Sequence, residues 1–256
     1  MTAGDKKYSD WKMQIWLGQQ AYERGQFVVA QQKFQKALRD LEALKISDER
    51  LAMTLNNLAL CLCAQGKHDE SDPLYQKALS IDQTSGSSGS LRLAEDLANI
   101  ATHYRKQGLL AQAEPLYLKA LKLFTDEQGD SCLEVAECLN NLAQVYCKQN
   151  RYQDAIVLYK KALGIFGVTC GCKSKEYAIT SVNLAGAYCS IGRCAEATPL
   201  FEEGIRILGY TLDPVHNELL DAMESYVAHL MKVGKSEQAA EIESEIKQLK
   251  ERRTHR

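Results

Sequence analysis

The chain has 256 residues, 45% of them hydrophobic, and a net charge of −2 at pH 7. This near-neutral balance excludes a general basic field for nucleic acid or anionic lipid, and no run of about 18 apolar residues is present to span a bilayer. The opening Met1-Thr-Ala-Gly-Asp-Lys-Lys has no apolar leader, so a cytoplasmic location is expected, with the nine cysteines as free thiols.

In chain order, one tripeptide keeps returning. It is Trp16-Leu17-Gly18 in a segment over 10–47, Asn57-Leu58-Ala59 in 50–84 and Asn99-Ile100-Ala101 in 92–126. It continues as Asn141-Leu142-Ala143 in 134–168, Asn183-Leu184-Ala185 in 176–210 and a worn Ser225-Tyr226-Val227 in 218–253. The first step is 41 residues and each later one 42, which marks an array of one supersecondary unit.

Each unit turns at Gly25, Gly66, Gly108, Asn150, Gly192 or Gly234, residue types that accept left-handed backbone angles at a helix end. Before the turn, Leu55, Leu58, Ala59 and Leu62 and their equivalents form one helical apolar stripe. After it, a small residue (Ala30, Ser71, Ala113, Ala155, Ala197, Ala239), an aromatic (Phe34, Tyr75, Tyr117, Tyr159, Phe201) and an Ala-Leu pair form a second. Each unit is therefore predicted to be two antiparallel helices, drawn close where side chains are small. Thr84-Ser-Gly-Ser-Ser-Gly-Ser90 reads as a flexible loop within the array. The last unit has Glu243 in the aromatic column and Lys247 in the leucine column, so it is expected to be a solvating cap, with a basic tail to Arg256.

The Leu-x-Asn-Leu-Ala, the Tyr, the turn residue, the Ala, the Tyr and the Ala-Leu, as they stand between Leu139 and Leu163, resemble the tetratricopeptide repeat over about residues 10–253. The 42-residue step is similar to the kinesin-light-chain subtype, and Val135-Ala-Glu-Cys-Leu-Asn-Asn-Leu-Ala143 is close to that subtype's helix. The resemblance implies an all-α, right-handed superhelical solenoid of six helix-turn-helix repeats, a single domain over 8–256, with its first helices lining a concave face. It also implies non-catalytic binding of a partner protein or peptide. An architectural or self-associating solenoid and a kinesin-light-chain-like cargo adaptor are the alternatives.

Winding each first helix at about 100° per residue places the register nine before the turn opposite the core stripe. That outward column reads Trp16, Asn57, Asn99, Asn141, Asn183, Ser225. Asparagine is a mediocre helix former, so its recurrence points either to amides that hold the main chain of an extended peptide or to bonds between repeats. On the same face, Arg105, Lys106 and Lys148 suit an acidic ligand, with Gln144 beside them and Glu95 and Glu137 opposing them. The carboxylate clamp of chaperone-binding tetratricopeptide domains is not expected, because the register before the Asn column holds no lysine (Ile15, Asn56, Ala98, Asn140, Val182). Trp11 is expected to pack as a cap on the first repeats, whereas Trp16 suits either a cap or an aromatic anchor for the ligand.

No cofactor or metal is expected from spacing. Cys61 and Cys63 point some 200° apart on a helix, and Cys170-Gly-Cys172 has no second pair in register. His68 is expected at a turn and His103 on a helix surface, and no nucleophile motif or phosphate-binding loop accompanies the five histidines. A non-enzyme is the resulting expectation.

Overall fold

The computed structural model describes residues 3–84 and 90–254; of the expected Ser/Gly loop, 85–89 lie outside the described residues. Among the described residues the chain forms twelve α-helices and no strand. They are α1 (Ala3–Glu23), α2 (Phe27–Ala43), α3 (Glu49–Ala64), α4 (His68–Thr84), α5 (Ser90–Gln107) and α6 (Leu110–Gln128), then α7 (Leu133–Lys148), α8 (Tyr152–Thr169), α9 (Lys175–Ser190), α10 (Cys194–Thr211), α11 (Asn217–Lys232) and α12 (Ser236–Thr254). The chain divides into two compact units, Met1–Leu123 and Phe124–Arg256, with the boundary falling inside α6.

Every expected turn residue is left-handed, with φ from 62° at Asn150 to 80° at Gly108 and Gly192. The geometry is a Schellman cap. At Gly66, the Gly66 amide donates to the Cys63 carbonyl at 2.9 Å and the Lys67 amide to the Leu62 carbonyl at 2.9 Å. Asn150 and Arg151 repeat these bonds onto Cys147 and Tyr146 at 3.0 and 2.8 Å. A Cβ on Gly66 would meet nothing within 4 Å, so only the backbone angle opposes a larger residue. Gly66→Ala is therefore expected to cost about 1–2 kcal/mol, read as a lowered urea midpoint at unchanged slope.

The predicted stripes are the core. Leu55, Leu58, Ala59 and Leu62 of α3 and Leu139, Leu142, Ala143 and Tyr146 of α7 are buried, as are Ala30, Ala113, Ala155, Ala197 and the aromatics Phe34, Tyr75, Tyr117, Tyr159 and Phe201. Glu243 and Lys247 of α12 are exposed. Trp11 packs inward, and its indole N–H donates to the Thr54 hydroxyl of α3 at 3.0 Å.

A second buried stripe on the first helices escapes the single-helix reading. It comprises the registers twelve and five before the turn: Thr54 and Cys61, Asp96 and His103, Cys138 and Val145, Thr180 and Ala187, Ala222 and His229. The first helix α9 touches both its own second helix α10 and α8 of the preceding repeat, and α3 likewise touches α4 and α2. The first repeat has no predecessor within its unit, and its equivalent Met13 is 54% exposed.

Candidate peptide-binding face

Within the first unit, Asn57 on α3 and Asn99 on α5 are half-buried at the outward register. In the second, Asn141 on α7 and Asn183 on α9 take the same place. The main chain of each is held by its helix, so the side-chain amide is the free variable. The Asn183 amide donates to the Asn140 side-chain carbonyl at 3.2 Å, and Thr180 donates to that same oxygen at 3.4 Å. This ties α9 to α7. No side-chain hydrogen bond holds Asn57, Asn99 or Asn141 among the described residues. The column thus divides: Asn183 bonds between repeats, and the other three do not. Asn140→Ala removes both bonds to α9 and is expected to cost about 1–3 kcal/mol, visible as a lower melting temperature.

The neighbouring register repeats the α9–α7 link in the first unit. Asn56 on α3 donates to the Asp96 carboxylate on α5, and both residues are buried. An amide one place before the outward column is therefore an inter-repeat tie in both units.

Arg105 and Lys106 sit together in the last turn of α5, Arg105 half-buried and Lys106 exposed. The Arg105 Nε donates to the Tyr117 hydroxyl at 3.4 Å, and the Thr102 and Tyr117 hydroxyls bond at 2.8 Å, so aromatic and hydroxyl groups of α6 and α5 aim the guanidinium. Lys148 is exposed at the equivalent end of α7. Trp16 is 57% exposed and so stands outside the core, unlike Trp11.

Within the second unit a cleft of about 200 Å³ opens on this face. It is lined by Gln144 of α7, Asn183 and Val182 of α9, and Glu218, Asp221 and Ser225 of α11. Two of the sequence candidates, Gln144 and Asn183, are brought together here. The carboxylates were missed, although Asp221 shares the register of Glu95 and Glu137. Glu218 is engaged by the Lys175 ammonium at 2.7 Å. Burial, then the negative charge of Glu134 and Glu176, holds the Glu137 carboxyl above the usual carboxylate range. The pairing of Glu218 and the shift of Glu137 toward its neutral form both lessen the negative charge that these carboxylates bring to the face of the second unit.

One expectation is overturned. His103 is 4% exposed rather than on a helix surface. Its Nδ1 faces the Cys63 thiol at 2.9 Å, and its Nε2 faces the Asp72 carboxylate at 2.9 Å. The reason is its register: five before the turn points at the preceding repeat, not at solvent.

The family model for the tetratricopeptide repeat matches residues 12–84, 50–126 and 92–167, together more than half of the chain. Among curated proteins none matches the chain in sequence. Solved structures share the fold at low identity. BtubC (BKLC) from P. vanneervenii is 20% identical with a TM-score of 0.70, over 99% of this chain and 93% of that one. A putative kinesin light chain of nearly identical TPR-like repeats from Podosopora anserina is 19% identical with a TM-score of 0.65, over 79% and 95%. A Rap protein complexed with competence and sporulation factor is 15% identical with a TM-score of 0.66, over 95% and 75%.

Proposed function

The chain belongs to the tetratricopeptide repeat family, and from that premise we propose that it is a non-catalytic scaffold or adaptor that binds a segment of a partner protein along the outward faces of its first helices. The observation that carries this reading is the recurrence of Asn57, Asn99 and Asn141 at one half-buried register with no side-chain bond of their own among the described residues. Side-chain amides both donate and accept, so they read a peptide main chain with little sequence choice. Sequence preference then comes from charge. Arg105 and Lys106 take acidic groups of the partner and Lys148 takes another, while Gln144, Asn183 and Asp221 accept an N–H donor in the cleft of the second unit. Trp16 offers an apolar anchor at the start of the array. The fold supports the reading by analogy: one protein of this fold is complexed with competence and sporulation factor. No described helix is long and apolar enough to cross a membrane, in keeping with a partner met in aqueous solution, and a cytoplasmic site of action is part of the proposal.

The test compares proteins cross-linked in cells to the wild type and to the Asn99→Ala, Asn141→Ala double variant. The expected result is at least a tenfold loss of one specific partner at an unchanged melting temperature. A melting temperature that falls in step with binding would make the ladder structural. A wild type that captures only copies of itself, and scatters light as a dimer, would favour the self-associating solenoid.

A further inference from the structure

Cys63 at the end of α3, His68 at the start of α4 and His103 on α5 meet where one repeat turns beneath the next. Their ligand atoms all lie within 4.8 Å of one another. We propose that these three side chains form a binding site for a zinc-class cation, clamping the turn of the second repeat to the third.

The donor set is that of zinc: one thiolate and two imidazoles, with the fourth position left for water. Bonds of about 2.3 Å to sulfur and 2.0–2.1 Å to nitrogen place tetrahedral ligand atoms about 3.3–3.6 Å apart. The observed Cys63 Sγ to His103 Nδ1 distance of 2.9 Å and the outer limit of 4.8 Å bracket that value. Side-chain adjustments of about 1 Å close the site. An acceptor carboxylate at Nε2 favours the Nε2–H tautomer of His103, the one a metal at Nδ1 requires. In that tautomer the Nε2–H donates to the Asp72 carboxylate at 2.9 Å, which leaves the Nδ1 lone pair directed at Cys63. A carboxylate behind a ligating histidine is the usual outer partner of zinc imidazoles. On binding, Cys63 gives up its proton to solvent, and the Tyr75 hydroxyl, 3.5 Å from the sulfur, donates to the thiolate.

His68 supplies an independent sign. Its ring lies 5.1 Å from that of His103, and its Nδ1 is shielded from solvent without a hydrogen-bond partner among the described residues. A shielded, unpaired ring nitrogen is costly unless something binds it.

The arrangement also recurs. Three repeats later the same registers hold Cys189, Cys194 and His229. There the Cys189 Sγ again lies 2.9 Å from the His229 Nδ1, and the Thr198 hydroxyl takes the place of Asp72 at 2.8 Å from Nε2. In the first repeat the equivalents are Tyr22 and Phe27, packed edge to face at 5.4 Å. In that repeat the place is filled by ring packing instead of a metal-type donor set.

The experiment uses the reduced, chelator-stripped full chain, titrated with Co2+ and then Zn2+, with Mg2+ as a control. The expected result is a tetrahedral Co2+ spectrum with a thiolate charge-transfer band, displaced by Zn2+, and a melting temperature raised by Zn2+ and not by Mg2+. Cys63→Ser should reduce the charge-transfer band by half or more. Asp72→Asn and His68→Ala should each weaken Zn2+ binding about 10–100-fold. A folded wild type without the chromophore overturns the proposal. So does a chromophore that Cys63→Ser leaves unchanged and that disappears with the exposed Cys170 and Cys172 replaced by serine. Should Cys63→Ser fail to fold, His68→Ala decides, because His68 is only half-buried and full Zn2+ affinity in that variant refutes the site.

Discussion

Phe201→Ala is expected to destabilise the protein by about 3–5 kcal/mol, whereas Glu243→Ala, at the equivalent register one repeat later, should change stability by no more than about 0.5 kcal/mol. Phe201 is 1% exposed on α10, with ring centroids 5.5 Å from Tyr226 and 5.4 Å from His229 of α11. It therefore joins one repeat to the next, and its loss leaves a cavity that rigid helix backbones cannot close. Glu243 is exposed on α12, where no further repeat follows among the described residues. The expected loss is a large fraction of a typical total stability of about 5–15 kcal/mol. Because repeat arrays are held by nearest-neighbour interfaces, the thermal transition of Phe201→Ala should also broaden, as α11 and α12 separate from the rest of their unit first. Calorimetry of the two variants beside the wild type checks both the size and the shape.

Two glycine-to-alanine substitutions should have opposite signs. At Gly204 on α10 an added Cβ would lie 2.7 Å from the Val182 Cγ2 and 3.0 Å from the Ala178 carbonyl oxygen of α9. Val182 is β-branched, with little rotamer freedom in a helix, and the carbonyl belongs to the helix backbone, so neither can yield cheaply. Overpacking of this kind costs about 1–3 kcal/mol, against a gain of at most about 1 kcal/mol from helix propensity. At Gly164 on α8 nothing lies within 4 Å of the added carbon. Gly164→Ala should therefore stabilise by about 0.5–1 kcal/mol. Chemical denaturation of the pair isolates the packing term, since the mutation is the same and only the neighbouring helix differs. Gly204 takes the place that Ala37, Ala78, Ala120 and Ala162 hold in other repeats, so at this one contact even a methyl group is too large.

The outward face of the first helices was readable because it depends on one helix at a time. Counting back from each turn identified which registers point outward, and Asn57, Asn99 and Asn141 are half-buried there. What that count lacked was the second neighbour. Asn183 lies at the same register yet bonds to Asn140, and the cleft carboxylates come from α11, a different repeat from Gln144 on α7.

The sequence by itself determined the local architecture. A 42-residue period sets helix phase, the left-handed positions at Gly25 to Gly234 follow from residues that tolerate φ > 0, and small side chains fix where paired helices approach. Only the tertiary structure decided what lies between repeats. His103 reads as a surface residue when its helix is wound alone, but the preceding repeat covers it and brings Cys63, 40 positions earlier, to its Nδ1. Helical periodicity records one packing direction, that of the helix against its own partner. Burial against a neighbouring repeat depends on the angle at which units stack, and that angle arises from many side-chain contacts together rather than from any local signal.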